Sequence, residues 1–236
     1  MANLKIKLYA DGADINQFRN LYEGKIVKGF TTNPTLMRKA GVKDYKAFAH
    51  ELLDMITDLP ISFEVFSDDF DQMEKEAREI NSWGSNVYIK IPVTNTKGDF
   101  TGTLIKKLAG EGLKLNVTAV FTIQQVEQIN EVLNKDVPAV VSIFAGRIAD
   151  TGIDPLPVMK NAIGILNSKP RTELLWASSR ELFNIFQAEE AGFHIITVTP
   201  EILKKMNMVG MDLDELSLQT VKMFYNDAMN AGFKII

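Results

Sequence analysis

Residues 85–94 read SNVYIKIPVT, where Val87, Ile89, Ile91 and Val93 share one parity and Tyr88 and Lys90 share the other. Successive side chains of a strand point to opposite faces, so this is a buried strand whose second face carries a lysine. Such a lysine must reach water along its stem, pair with an acid, or take part in chemistry. Outward from this stretch, short apolar runs rich in β-branched residues recur at 4–10, 25–31, 61–66, 86–92, 114–121, 139–145, 172–178 and 193–199. Segments of helical period lie between them near 14–22, 44–57, 70–82, 101–110, 122–133, 155–167 and 180–190. In the second of these, Phe48, Leu52, Met55 and Ile56 form an i, i+4, i+7, i+8 stripe. Two further helical segments follow the last strand, at 200–206 and 212–230.

Strict strand–helix alternation implies parallel strands joined by crossover helices. Eight such units in 236 residues predict an α/β fold, a single (β/α)8 TIM barrel with an additional C-terminal helix. An open doubly wound sheet is the competing arrangement, but it usually needs fewer strands, and no glycine-rich turn marks a first strand here. No linker-like composition breaks the chain. One domain is expected, with residues 1–206 as the barrel and 207–236 as a helical extension of the same domain.

The apolar fraction of 46% and charged fraction of 24% suit a large buried core. A net charge of −4 without long runs of one sign argues against a nucleic-acid or membrane partner, although a local arginine cluster could still hold a small anion. The absence of cysteine excludes disulfides, Cys-ligated zinc, iron–sulfur clusters and thiol nucleophiles. The opening MANLKIKLYADGADIN alternates rather than forming an apolar signal core, and no apolar run approaches 18 residues. A cytoplasmic protein is expected. His50 and His194, the only histidines, lie far apart, so neither a histidine metal site nor a histidine triad is expected. NTKGDFTGT, residues 95–103, lacks the spacing of a nucleotide-binding loop. The methionine-rich KKMNMVGMDLDEL, residues 204–216, reads as core packing or a subunit contact.

Strand parity selects the candidate site. Asp11 shares parity with Tyr9, and Glu64 with Ser62; Asn116 and Thr118 oppose Leu115, Val117 and Ala119; Ser142 and Phe144 oppose Val141 and Ile143. The apolar sets suit the side that packs on helices, and the polar sets suit the barrel axis. Asp11, Glu64, Lys90, Thr118, Phe144 and Ser178 fall late in their strands, at the end where such barrels carry their chemistry. The plainer account of Lys90 is a lysine that snorkels or pairs with Glu64. The sharper one uses desolvation, which favours a neutral amine able to form a Schiff base. The two carboxylates offer a general acid/base pair or, more plainly, ion-pair partners. Asn33, in GFTTNPTLM, is by itself an ordinary turn residue. Arg147 and Arg180 each follow a strand, and with Ser178 and Ser179 beside a helix start they suit a phosphate ester; solvated or capping arginines are the alternative.

The ordered set TTNPT, SFEV, YIKIPVT, LNVTAVF, GRI and ASSR, one for each successive barrel unit, resembles transaldolase from Tyr9 to about Met206. By length the likeness is to the short bacterial-type subfamily, which also includes fructose-6-phosphate aldolases. The resemblance implies that Lys90 forms the imine with the donor ketose. It implies that Asp11 takes the proton of the C4 hydroxyl as the C3–C4 bond breaks. Glu64 would act with a water held by Thr118, and Asn33 and Asn116 would bind the dihydroxyacetone unit, with Ser142 near its terminal hydroxyl. Arg147, Arg180 and Ser178 match phosphate-binding positions. Glu64 and Phe144 are of the transaldolase type, where the aldolase branch has Gln and Tyr.

The implied reaction is transfer of a dihydroxyacetone unit from sedoheptulose 7-phosphate to glyceraldehyde 3-phosphate, giving erythrose 4-phosphate and fructose 6-phosphate, in the pentose phosphate pathway. No cofactor or metal is implied. Sugar phosphates are the implied partners, and a homo-oligomer, pentamer or decamer, the implied assembly. Fructose-6-phosphate aldolase is the alternative within the class, and a non-catalytic sugar-phosphate-binding barrel the alternative outside it. Gly12 stands where Thr is common and Thr35 where Ser is common, departures that bear on loop shape and donor preference.

Overall fold

The computed structural model describes residues 4–236, so the first three residues of the expected barrel domain lie outside the described residues. The strands are β1 (Lys7–Asp11), β2 (Phe30–Thr31), β3 (Ile61–Glu64), β4 (Val87–Pro92), β5 (Leu115–Val120), β6 (Ala139–Ile143), β7 (Thr172–Trp176) and β8 (Ile195–Val198). They pair in chain order, all parallel, and β8 returns to β1 to close a barrel. The helices are α1 (Ile15–Glu23), α2 (Pro34–Lys39), α3 (Tyr45–Met55), α4 (Phe70–Ser82), α5 (Gly102–Gly110) and α6 (Ile123–Val132). They continue as α7 (Ala145–Ala149), α8 (Leu156–Leu166), α9 (Phe183–Glu190), α10 (Pro200–Lys204) and α11 (Leu213–Asn230).

The outward parity behaves as its composition dictates. Ile89, Ile91, Leu115, Val117, Val141 and Ile143 are wholly buried and join one core with helix residues such as Phe18, Leu52 and Ile129. On the inward parity Lys7 and Glu173 pair at 2.7 Å at the N-terminal ends, and the C-terminal ends are polar as well. Below that level Tyr9, Val140, Leu175, Ala177 and Ile195 form a second apolar cluster inside the barrel, a floor beneath the polar groups.

Four local departures from the sequence reading have physical causes. The second strand, expected over 25–31, is only Phe30–Thr31. Lys25 takes a left-handed φ of 54°, and a Cβ on Gly29 would lie 2.5 Å from the Tyr9 ring, so the chain approaches β1 without laddering regularly. α2 replaces the expected turn at Asn33: Asn33 caps it by accepting from Leu36 N–H, and Pro34 occupies the first turn, where a missing N–H does no harm. α7, a short helix that no expected helical segment covers, carries Arg147 directly after β6. Finally, β5 carries a bulge between Val117 and Val120, with Ala119 at a φ of 58°, and this breaks the parity that would have turned Ala119 outward.

α11 does not dock on its own barrel. It buries none of its residues, and Leu213, Val221, Phe224 and Tyr225 are all exposed. No helix among the described residues is long and apolar enough to cross a membrane.

Candidate active site

Lys90 is 6% exposed. Register explains its neighbours, because Glu64, Lys90 and Asn116 lie level on β3, β4 and β5. The Lys90 Nζ is 3.0 Å from Glu64 Oε2 and donates to the Thr32 carbonyl at 2.9 Å. The acid pairing expected of a plain strand lysine is therefore present. It coexists with an opening: Lys90, Glu64 and Asp11 all line a cavity of about 460 Å³ at the C-terminal mouth of the barrel.

Asp11 ends β1 on the opposite side of that mouth. It accepts from Thr31 Oγ1 at 2.9 Å and from Asn33 Nδ2 at 3.4 Å. The Thr31 and Thr197 hydroxyls are 2.6 Å apart, extending the chain to β8. Burial pushes the Asp11 carboxyl above its ordinary range, against the opposing pull of Lys90 and of the bonds from Thr31 and Asn33. Asn33 thus fills two roles, capping α2 with its oxygen and reaching Asp11 with its amide.

A second polar row crosses β3, β5 and β6. Asn116 donates to Ser62 Oγ at 3.0 Å and accepts from Ser142 Oγ at 2.7 Å. Ser142 lines the cavity, whereas Asn116 is fully buried behind it with its amide committed to these neighbours. Thr118, beside the bulge, is different. Its hydroxyl is buried, lines the cavity and has no hydrogen-bond partner among the described residues. A buried hydroxyl of this kind is suited to bonding a water or a substrate oxygen.

The far rim is cationic. Phe144 precedes α7, and the Arg147 guanidinium lies 5.8 Å from its ring centre. Arg180 donates from Nε to Asp150 Oδ1 at 2.9 Å, and its Nη2 pairs with Asp150 Oδ2. The Arg180 Nη1 donates to the Ser178 carbonyl at 3.0 Å. Ser178 has a φ of 64°, and a Cβ on Gly146 would meet the Ser178 carbonyl oxygen at 1.6 Å. The first turn of α7 and the loop after β7 therefore approach so closely that only glycine fits at position 146. Ser178 and Ser179 are not at a helix start, since α9 begins at Phe183; Ser179 donates to the Thr197 carbonyl at 3.0 Å. The arginines follow strands six and seven, one step earlier than the usual phosphate loops of such barrels.

Asp11, Asn33, Glu64, Lys90, Thr118, Ser142, Phe144, Arg147, Ser178 and Arg180 all border one cavity; Asn116 alone of the expected set does not. Thr31 and Thr197 escaped the sequence reading, although both have inward parity late in their strands. Among the described residues no cluster of three or more His, Asp or Glu side chains is disposed to hold a metal ion.

The model of the transaldolase/fructose-6-phosphate aldolase family matches residues 8–235. A probable transaldolase of Thermoanaerobacter sp. (strain X514) is 34% identical over 231 residues, covering 98% of this chain and 100% of its own. A probable transaldolase of Caldicellulosiruptor saccharolyticus is 36% identical over 203 residues, 85% of this chain and 89% of its own. Probable transaldolase 2 of Listeria monocytogenes is 33% identical over 202 residues, 85% and 88%. With a match that runs from β1 through α11 and takes in every strand that contributes to the cavity, this chain belongs to the transaldolase/fructose-6-phosphate aldolase family.

Proposed function

We propose that this protein is a transaldolase that moves a dihydroxyacetone unit between sugar phosphates through an imine on Lys90. The observation that carries the reading is a buried lysine amine 3.0 Å from a carboxylate, in a cavity that also holds a second carboxylate and two arginines. Glu64 can take the ammonium proton without its leaving the site, which frees the amine to add to the C2 carbonyl of a ketose phosphate. Loss of water gives a protonated imine. Asp11 then removes the C4 hydroxyl proton, the C3–C4 electrons move toward the imine nitrogen, and an aldose phosphate departs. The enamine left on Lys90 attacks the acceptor aldehyde and the steps reverse. The unpartnered Thr118 hydroxyl, with Glu64, suits the water that enters and leaves at the imine.

Arg147 and Arg180 suit the substrate phosphate, with Ser178 beside them. Held there, the phosphate orients the reacting carbons from a distance. We assign Asn33 and Ser142 to the hydroxyls of the dihydroxyacetone unit, and Asn116 to holding Ser142 rather than to direct contact. Sedoheptulose 7-phosphate and fructose 6-phosphate are the proposed donors, with glyceraldehyde 3-phosphate and erythrose 4-phosphate as acceptors, in a cytoplasmic pentose phosphate pathway and in a homo-oligomer.

The test is reductive trapping. Borohydride added with fructose 6-phosphate fixes a reduced dihydroxyacetone adduct on Lys90, seen by intact and peptide mass, and Lys90→Ala abolishes it. An adduct elsewhere sinks the assignment, and saturable binding with no adduct favours a non-catalytic barrel. Brisk synthesis of fructose 6-phosphate from free dihydroxyacetone and glyceraldehyde 3-phosphate marks the aldolase branch instead. Glu64 and Phe144 favour the transferase.

A further inference from the structure

The barrel wall has a gap beside Glu64. In a parallel ladder a residue's N–H and C=O point to the same side, and on β3 those of Ser62 and Glu64 point toward β2. Ser62 is served, because its carbonyl accepts from Thr32 N–H at 3.3 Å and from Thr32 Oγ1 at 2.9 Å. Glu64 is not, because β2 ends at Thr31 and the chain turns away into α2. The other edge is complete, with Val65 N–H bonded to the Lys90 carbonyl at 3.1 Å. One side chain fills the gap. The Tyr45 hydroxyl accepts from Glu64 N–H at 2.7 Å and donates to the Glu64 carbonyl at 3.2 Å. It stands where a β2 residue would otherwise complete the ladder.

Tyr45 is built for that post. It is the first residue of α3, whose start is fixed by Asp44 accepting from Ala47 N–H at 2.9 Å. Its ring packs edge-on against Phe66, Trp83 and Phe63 at centroid distances of 4.6, 5.8 and 6.1 Å. Phe63 and Phe66 flank Glu64 in sequence, so the segment that carries the carboxylate is clamped by the ring it bonds to. Accepting and donating at once requires the neutral phenol, and burial holds the Tyr45 hydroxyl above its ordinary range.

We infer that Tyr45 is a positioning residue for catalysis, which fixes the Glu64 backbone so that the carboxylate meets Lys90. This rests on the catalytic reading of Glu64 above. A misplacement near 1 Å at a proton-transfer group costs on the order of 100-fold in rate, and loosening two hydrogen bonds falls short of that.

A double-mutant cycle on turnover of fructose 6-phosphate with erythrose 4-phosphate tests it. Tyr45→Phe keeps the ring and removes only the hydroxyl. It is expected to lower kcat about 10-fold with KM for the donor changed less than about 2-fold. In a Glu64→Gln background, already slow, the same substitution is expected to change kcat by less than about 2-fold. A merely structural tyrosine gives equal factors in both backgrounds, and that outcome, or an unchanged kcat in the single variant, overturns the inference while leaving Glu64 catalytic. Wild-type turnover in Glu64→Gln instead overturns the reading of Glu64, and the role of Tyr45 with it. Melting curves establish that each variant is folded at the assay temperature. If Tyr45→Phe is not, 3-fluorotyrosine at position 45 perturbs the hydroxyl without removing it and supports the same comparison.

Discussion

Lys90 and Glu64 face each other across adjacent strands, their Nζ and Oε2 atoms 3.0 Å apart and both largely out of water. The pair is asymmetric toward mutation. Glu64→Ala leaves a buried ammonium with only the Thr32 carbonyl, and breaking a buried pair from one side costs roughly 3–5 kcal/mol. Glu64 keeps 18% of its side chain exposed, so the lower end of that range is expected. Lys90→Met abolishes the proposed imine, removes the more deeply buried of the two charges and retains most of the volume, and the Glu64 carboxylate it leaves unpaired still reaches water. The substitution is expected to cost at least about 1 kcal/mol less than Glu64→Ala in urea denaturation at pH 7. Equal losses would mean that leaving the ammonium buried and unpaired is not what makes Glu64→Ala costly.

Asp11 predicts a conflict between stability and function with a definite sign. Its carboxyl is raised, first by burial, from an ordinary value of 3.8. Between that value and the raised one, the folded state binds more protons at this group than the unfolded state does, so its contribution falls as pH rises through the window. Asp11→Asn removes that penalty. The variant is expected to gain stability over the wild type progressively above pH 3.8, with the gain level above the raised value, while turnover is lost. Denaturation midpoints of both proteins across pH 3 to 8 check this, and a gain that grows on acidification would reverse the assignment. The same raised carboxyl puts the acidic limb of the wild-type kcat/KM profile above the usual aspartate range.

Much of this was legible in the chain because strand parity is a local property. Lys90, Glu64, Ser142 and Thr118 stand on the inward parity of short runs whose outward residues are apolar, and pleating alone turns them to one axis. The cap of α2 was also legible, as Asn33, Pro34 and Gly41 mark a helix start and stop, yet the Asn-Pro step read as a turn. Other features are properties of closure. Ala119 enters the cavity only because β5 bulges against β6, and Gly146 matters only because the Ser178 carbonyl arrives beside it. Asn116 had inward parity but lies behind Ser142, a matter of depth that parity does not encode. Tyr45 was invisible for a similar reason: its place follows from the early end of β2, not from the pattern of α3.

The Gly146 contact gives a separate test of the phosphate end. A methyl group at this position would meet backbone, the Ser178 carbonyl oxygen at 1.6 Å, rather than a side chain that could swing away. Gly146→Ala must therefore move the β7 loop, and with it Arg180. Overpacking of this kind costs roughly 1–3 kcal/mol. Because the reacting groups lie on other strands, KM for a phosphorylated donor is expected to rise about 10-fold, with imine formation from unphosphorylated dihydroxyacetone nearly unchanged. Arg147→Ala is expected to show the same split without the loss of stability. A fall in both activities alike would mean that the rim serves the fold rather than the phosphate.

The last prediction concerns the extension. Leu218, Val221, Tyr225 and Met229 recur at i, i+3, i+7 and i+11, the spacing of one helix face, and each is more than half exposed. A face that is apolar at helical period buries itself against something, and the barrel of the same chain does not supply it. Covering what remains exposed of these four side chains would contribute roughly 3–7 kcal/mol per chain before the entropy of association, a substantial share of what holds an oligomer together. Light scattering of the intact protein is therefore expected to give a multiple of the 26.4 kDa chain. Truncation after Val209 removes the face while leaving every cavity-lining residue in the chain, so the truncated protein is expected to dissociate toward the monomer and keep the borohydride adduct on Lys90. An unchanged multiple after truncation would assign the assembly to the barrel surface. A truncated monomer that no longer forms the adduct would show instead that the catalytic cavity needs a neighbour's tail.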